Sequence, residues 1–309
     1  MSAALTIQGD DYPATRLLGG PHAGFDFQYT PRPLMEAMAG VLAGGTFQVC
    51  EFSLSYTIQM IDRGMDWITP VPVFPLRAFR HTAAYVRSDS DLAGPAGLKA
   101  KRIGILDYSM TGAVWLRGIW HDIYGLDWTE LQWHLRPAQR IPVPPGIDVT
   151  YCEGDLEDML INGELDILIG LPSPRDATKP EAKRLLRPLI ADVGGAQRDY
   201  FARTGFYPIA HTAVLRSDIA TANPDAARAV FGAYSASKRA AREAADDAST
   251  PWPYFLSGID GDPMIFGLTD GNRAIVETLA RYLYEQKLTS RLIAVDEIFT
   301  GGSQDWRED

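Results

Sequence analysis

The sequence predicts an α/β protein built as two lobes, and three observations carry that expectation. Between residues 101 and 171 strand-like and helix-like segments alternate, the pattern of a parallel sheet. A near-repeat brackets this stretch: His81-Thr82-Ala83-Ala84-Tyr85-Val86-Arg87-Ser88-Asp89 returns as His211-Thr212-Ala213-Val214-Leu215-Arg216-Ser217-Asp218. Each copy runs from a histidine through strand-formers into Arg-Ser-Asp, a turn signal. The copies lie about 130 residues apart, too far for a hairpin or a solenoid repeat. They read as two strands crossing between lobes, with both histidines at the mouth of one cleft. Third, the chain turns mostly helical from Pro224 onward. The expected division is a discontinuous lobe one, residues 1–81 plus 212–309, and an inserted α/β lobe two, residues 82–211.

Each element has its own signal. Leu5 to Gln8 and Phe25 to Tyr29 read as strands. Pro33 to Leu42 carries Leu34, Met35, Met38, Val41 and Leu42 at helical spacing, with Gly44-Gly45 as the stop. Phe47 to Phe52 reads as a strand and Ser55 to Arg63 as a helix. Three prolines between Trp67 and Pro75 exclude a central ladder strand and favour an extended lining segment. Beyond the first histidine strand come strand Lys101–Leu106, helix Thr111–Tyr124, strand Gln132–Leu135, strand Ile147–Tyr151, helix Leu156–Ile161 and strand Leu165–Leu171. Leu189 to Val193 leads back toward the second histidine strand. Pro224 to Ala245 reads as a long helix with Asn223 as its N-cap, and Asp270 to Glu285 as another, capped by Asp270. The polar tail Gly301–Asp309 is expected to fray.

Composition narrows the function classes. Hydrophobic residues at 46% and charged residues at 22% are those of an ordinary globular chain. A net charge of −10 argues against nucleic acid and against anionic membrane surfaces, while leaving room for a local arginine cluster that takes a small anion. No apolar run approaches the roughly 18 residues needed to span a bilayer. The first ten residues read as a strand and carry no basic, then apolar, leader pattern, which makes a cytoplasmic protein the expectation. Cys50 and Cys152 form neither a disulfide framework nor a zinc motif, and read as small buried apolar residues.

Two stretches carry the densest chemistry. In Phe74-Pro75-Leu76-Arg77-Ala78-Phe79-Arg80-His81, guanidinium groups suited to binding carboxylates stand beside a histidine suited to proton transfer. In Leu106-Asp107-Tyr108-Ser109-Met110-Thr111-Gly112, a strand opens into a helix whose N-terminal N–H groups can cradle an anion, with Ser109 also a natural N-cap. Arg117, about two turns on, reads as a surface or packing residue. Glu51, in Cys50-Glu51-Phe52-Ser53-Leu54-Ser55, stands at a strand end on the cleft side, where α/β clefts bind ligands. His22, His121 and His134 have no partners at ligand spacing, and no local cluster suggests a metal.

Taken in order, Asp10-Asp11-Tyr12 with Thr15-Arg16, Glu51 through Ser55, Pro72-Val73-Phe74-Pro75 with Phe79-Arg80-His81, Tyr108-Ser109-Met110-Thr111 with Trp115 and Arg117-Gly118, Pro208 through His211, Asp262-Pro263, Gly267-Leu268, Asn272-Arg273, Glu285-Gln286 and Glu297-Ile298-Phe299 resemble the 4,5-dihydroxyphthalate decarboxylase family over nearly the whole chain. The resemblance implies the type II periplasmic-binding-protein-like fold, two α/β lobes joined by two crossing strands. It also implies a carboxy-lyase that converts 4,5-dihydroxyphthalate, or a close hydroxylated aromatic acid, to 3,4-dihydroxybenzoate and carbon dioxide without a cofactor. A divalent metal is compatible with the residue types but is not supported by their spacing. The partner implied is a small aromatic dicarboxylate, and a homo-oligomer is left open. On this resemblance Arg16 and Arg80 clamp carboxylates with Ser109 and Thr111 in support, and Ser53 lies in the binding strand. His81 is the first candidate for proton donor, His211 the second, and Glu51 or Asp107 serves the phenols. Pro13 and Thr82 depart from the family impression, which leaves the exact acid open. A solute-binding protein that captures an organic anion without chemistry is the alternative. The thiamine-pyrimidine synthase branch of this fold carries a cysteine-rich motif that two isolated cysteines do not supply.

Overall fold

A computed structural model describes residues 3–170, 174–244, 262–299 and 301–308. The chain divides into two compact units: residues 1–78, 209–284 and 289–309 form unit one, and 79–208 with 285–288 form unit two. The expected boundaries at 81 and 211 therefore move back three residues, and the two histidines exchange sides. The reason is strand pairing. Arg77 and Ile209 form an antiparallel bridge within unit one, and the Ala210 N–H donates to the Leu76 carbonyl at 2.9 Å. The sheet of unit one thus reaches past both crossings and claims His211, while His81 packs on Tyr200 in unit two.

Unit one begins with β1 (Ala3–Gly9), β2 (Gly20–His22), β3 (Phe25–Pro31), α1 (Leu34–Leu42), β4 (Val49–Ser53), α2 (Leu54–Asp62) and β5 (Ile68–Val71). Unit two contributes β6 (Ala84–Arg87), β7 (Arg102–Ile105), α3 (Thr111–Tyr124), β8 (Gln132–Leu135), β9 (Val149–Tyr151), α4 (Leu156–Ile161), β10 (Ile167–Ile169), β11 (Leu186–Pro188) and α5 (Val193–Thr204). The chain then completes unit one with β12 (His211–Arg216), α6 (Ser217–Ala222), α7 (Ala226–Ala244), α8 (Asp270–Glu285) and α9 (Val295–Ile298). The expected ends at Leu171 and Ala245 lie outside the described residues.

Each unit holds a six-stranded sheet, ordered β2-β3-β1-β4-β12-β5 in unit one and β11-β6-β10-β7-β8-β9 in unit two. The near-repeat has a topological meaning. β12 runs antiparallel between β4 and β5, and β6 runs antiparallel between β10 and β11, each the first strand laid down after a crossing. All five residues of β4 are buried, as in a strand covered on both faces. β5 contains Pro70 and lies at the sheet edge, where a residue without an N–H is tolerated.

Several capping expectations are corrected. Asn223 ends α6 rather than starting α7, and α8 is capped by the Thr269 hydroxyl, which accepts from the Asn272 N–H. Met110, not Ser109, occupies the N-cap of α3, with no side-chain cap bond. The tail does not fray over 301–308. Arg307 bridges Gly267, and Glu308 accepts from the Phe266 N–H at 2.7 Å and from Lys238. Gly267 takes φ +86°, and a Cβ there would come within 2.3 Å of the Trp306 carbonyl, so only glycine lets the tail approach.

Lys238 on α7 is buried and donates to Asp262 at 2.8 Å, to the Met264 carbonyl at 2.9 Å and to Glu308. Lys238→Met removes the cation from Glu308 and leaves Asp262 with only Arg242, 3.3 Å away, and is expected to cost about 3 kcal/mol of stability, read from urea unfolding. A loss below about 1 kcal/mol would show that the network is not a structural anchor.

Candidate functional site

Parallel strands β1, β3 and β4 end at the same edge of the unit-one sheet, and antiparallel β12 begins there. That edge gathers Gly9, Asp10, Tyr12, Tyr29, Glu51, Ser53 and His211. Register explains the central pair. His211 lies opposite Ser53 and Ala213 opposite Glu51, so His211 and Glu51 are diagonal neighbours on one face. The imidazole Nδ1 lies 2.6 Å from Glu51 Oε1. Glu51 also accepts from the Tyr12 hydroxyl at 3.0 Å and from the Asp10 N–H at 3.1 Å. Because Glu51 accepts from these donors, the N–H of the His211 ring that faces it is assigned to Nδ1, and Nε2 is the ring nitrogen turned away from the carboxylate.

Burial separates the two partners. Glu51 has a side chain 1% exposed, while the His211 side chain keeps 14%, enough for a small molecule to reach the ring. Gly9 makes room for the carboxylate, since a Cβ there would stand 3.1 Å from both Glu51 Oε2 and the Tyr29 hydroxyl. Tyr29 donates to the Asp10 carbonyl, and burial pushes its phenol well above its usual range. Burial, with Glu51 adding to it, does the same to the Cys50 thiol and the Tyr234 phenol, so neither ionises near neutral pH. Ser53 caps α2 by accepting from the Tyr56 N–H at 3.3 Å. Arg16, expected as a clamp, is exposed and paired with Asp11 at 2.9 Å.

The remaining candidates belong to unit two. His81 is buried against Tyr200, with ring centroids 5.4 Å apart, and beside Phe79. Its Nδ1 has no hydrogen-bond partner among the described residues. Burial drives its pKa down to about 4, with Asp199 opposing, so the ring is neutral at pH 7. Arg80 is buried next to it. Asp107, expected at a phenol, instead shapes the loop before α3: it accepts from the Ser109 N–H at 2.9 Å and from the Arg140 backbone and guanidinium at 3.2 Å. Ser109 and Thr111 are buried at the start of that helix.

Sequence reasoning missed the roles of Tyr12, Tyr29, Arg117 and Arg140. Tyr12 and Tyr29 had a signal, since each lies at or just beyond the carboxyl end of a parallel strand. Arg117, expected at a surface or in packing, is wholly buried. Arg77 is also buried, tied to the Ile265 carbonyl and Asn272, each at 2.8 Å. A cavity of about 490 Å³ in unit one is lined by His22, Arg228, Lys238 and Arg242 and shares no residue with the Glu51 cluster. Chemistry rather than volume therefore selects the site. Among the described residues no group of three or more His, Cys, Asp or Glu side chains is placed to hold a metal ion, and no helix is long and apolar enough to cross a membrane.

No family model matches the chain. Among curated proteins it is similar to 4,5-dihydroxyphthalate decarboxylase of Comamonas testosteroni, 33% identical over 216 residues, 66% of this chain and 64% of that protein. It is also similar to the protein of the same name from Pseudomonas putida, 32% identical over 165 residues, 50% of this chain and 63% of that protein. The match thus spans just under two thirds of each relative's length. Among solved structures it is similar to the periplasmic aliphatic sulphonate binding protein SsuA of Escherichia coli, with a TM-score of 0.58, 17% identity, and coverage of 97% of this chain and 100% of that one. The alkanesulfonate-binding SsuA of Xanthomonas axonopodis pv. citri, bound to MOPS, gives a TM-score of 0.54 at 15% identity, covering 96% and 97% of the two chains. At such identities the likeness establishes the fold: α/β, two-lobed and periplasmic-binding-protein-like.

Proposed function

We propose that this chain is a carboxy-lyase that removes one carboxylate from 4,5-dihydroxyphthalate or a close hydroxylated aromatic dicarboxylic acid. The observation that carries the reading is the likeness to two proteins named for that reaction. The Glu51–His211–Tyr12 cluster supports it with suitable acid–base groups.

The substrate supplies its own electron sink. Each carboxylate is para to a hydroxyl, so the phenolic oxygen pushes density onto the carbon that bears the carboxylate. A proton added to that carbon forms the new C–H bond. The C–CO₂ bond then breaks, its electron pair returns to the ring, and carbon dioxide leaves. The sum is one dicarboxylate plus one proton giving 3,4-dihydroxybenzoate plus carbon dioxide, with no oxidant and no organic cofactor.

In our reading His211 rather than His81 delivers that proton. The Nδ1–H of His211 is fixed on Glu51, which orients the ring and leaves Nε2 as the nitrogen for proton transfer to the substrate. His81 has no such carboxylate in hydrogen-bond contact and is held neutral by burial.

Incubation with 4,5-dihydroxyphthalate tests the proposal, and the expected result is stoichiometric carbon dioxide and 3,4-dihydroxybenzoate. Binding of the acid with no product over hours would instead support an anion receptor and sink the carboxy-lyase reading.

A further inference from the structure

The cavity of about 490 Å³ in unit one takes no part in the Glu51 cluster, and its charge runs against that of the chain. The protein carries a net charge of −10, yet α7, which forms one wall, holds four basic residues against the single acid Glu243. Arg228, Ser235, Arg239 and Arg242 recur at helical spacing and therefore stack along one face of α7, the face that lines the cavity. Arg228 stands in the first turn, the end at which the helix dipole disfavours a cation. Arg239 and Arg242, three residues apart, repel each other. Arg307 of the C-terminal segment lines the same space.

The carboxylates present do not offset these arginines. Asp262 accepts from Lys238 at 2.8 Å and lies 3.3 Å from Arg242, and Glu308 accepts from Lys238. Glu243 and Arg239 are exposed, and neither forms an ion pair with a described residue. The Arg228 guanidinium lies 5.4 and 5.2 Å from the ring centres of Phe231 and Trp306, an aromatic support without a counter-charge. Arg307 donates to the Gln304 and Trp306 carbonyls, at 2.9 and 2.8 Å. Three guanidinium groups thus line one space with no carboxylate of their own. His22 adds an imidazole: a Cβ on Gly232 would come within 2.3 Å of its Nε2, so a glycine there lets the ring lie against α7. The Ser235 hydroxyl oxygen is buried and has no hydrogen-bond partner among the described residues. Forked donors and a free hydroxyl around a space of ligand-pocket size suit the oxygens of a multiply charged anion.

We propose that this cavity is a second ligand site, which binds a small multivalent oxyanion, a polyphosphate or a polycarboxylate, through Arg228, Arg239 and Arg307. The site lies wholly within unit one and shares no residue with the Glu51 cluster, so it stands apart from the carboxy-lyase reading. The bound anion bridges α7 and the C-terminal segment, and it therefore stabilises the folded protein by mass action.

The test titrates the full chain with pyrophosphate and, separately, with citrate, in calorimetry and in thermal unfolding. At about 50 mM salt, where charge pairs are weakly screened, at least one probe should bind with a Kd below about 1 mM and raise the melting temperature. Tighter pyrophosphate identifies a phosphorylated ligand, and tighter citrate a polycarboxylate; either result supports the site. Arg228→Gln and Arg239→Gln should each weaken the tighter probe by about tenfold, the loss of a charge-assisted contact. Both side chains are exposed, so the variants keep the fold, which urea unfolding checks. Arg198→Gln removes the same charge from an exposed position in unit two and should leave Kd within about twofold. Neither heat nor a melting shift with either probe at about 10 mM overturns the proposal. So does binding that both cavity variants retain within about twofold, and so does an equal loss in Arg198→Gln, which would mark a diffuse field rather than a site.

Discussion

His211→Asn is expected to lower kcat for 4,5-dihydroxyphthalate by about two to four orders of magnitude, the usual contribution of a positioned general acid, with little change in stability. The imidazole is partly exposed, so its loss creates no large cavity, and asparagine can still donate toward Glu51. Glu51→Gln should be nearly as damaging for a different reason. Glu51 accepts from the Tyr12 hydroxyl, the Asp10 N–H and His211. An amide offers one acceptor and turns an NH₂ on the remaining donors, so the ring loses its fixed tautomer and its counter-charge. Replacing a carboxylate that orients a catalytic histidine by its amide costs on the order of 10³–10⁴ in kcat when the histidine must carry charge. The buried donors left unpaired also cost about 1–3 kcal/mol in unfolding free energy. Steady-state kinetics and urea unfolding of both variants check these outcomes. Full turnover by His211→Asn would remove His211 from the chemistry and return His81 to first place.

The elements that local pattern placed correctly are those with one unambiguous period. α3, α4, β8 and α8 begin and end where helical or alternating spacing puts them. α5 escaped because Gly194 and Gly195 lie in its first turn and read as breakers. The structure uses them there, with Asp192 capping through the Gly195 N–H at 2.8 Å. Asn223-Pro224 was legible as a boundary but not as which boundary, since a cap residue serves the end of α6 as readily as the start of α7. At the site, Glu51 and His211 were each visible as candidates. Their partnership was not, because it depends on β12 running antiparallel beside β4 across 160 positions of chain. Arg117 was illegible for the opposite reason: nothing local marks an arginine for complete burial when its partners are a backbone carbonyl nine residues back and a glutamine far downstream.

His81 yields the second large effect, on stability rather than rate. Its pKa is lowered from 6.5 to about 4 by burial, so the unfolded chain binds a proton between those values that the native protein refuses. Stability rises with pH wherever the unfolded state holds more protons. The neutral ring therefore favours the fold fully above pH 6.5, and this contribution is lost as pH falls toward 4, with no further loss below. Between pH 7 and pH 4.5 the linkage amounts to about 2 kcal/mol, an upper figure because a dicarboxylate or local opening would let the ring charge sooner. His81→Leu removes the titration while keeping an apolar side chain beside Tyr200 and Phe79. Carboxylates elsewhere titrate in the same range, so the quantity to compare is the fall in unfolding free energy from pH 7 to pH 4.5 in parent and variant. The fall should be smaller by about 2 kcal/mol in His81→Leu. Equal falls would mean that His81 charges freely in the native protein. A histidine that charges so readily would also regain its standing as proton donor, because the argument for His211 rests on His81 being held neutral.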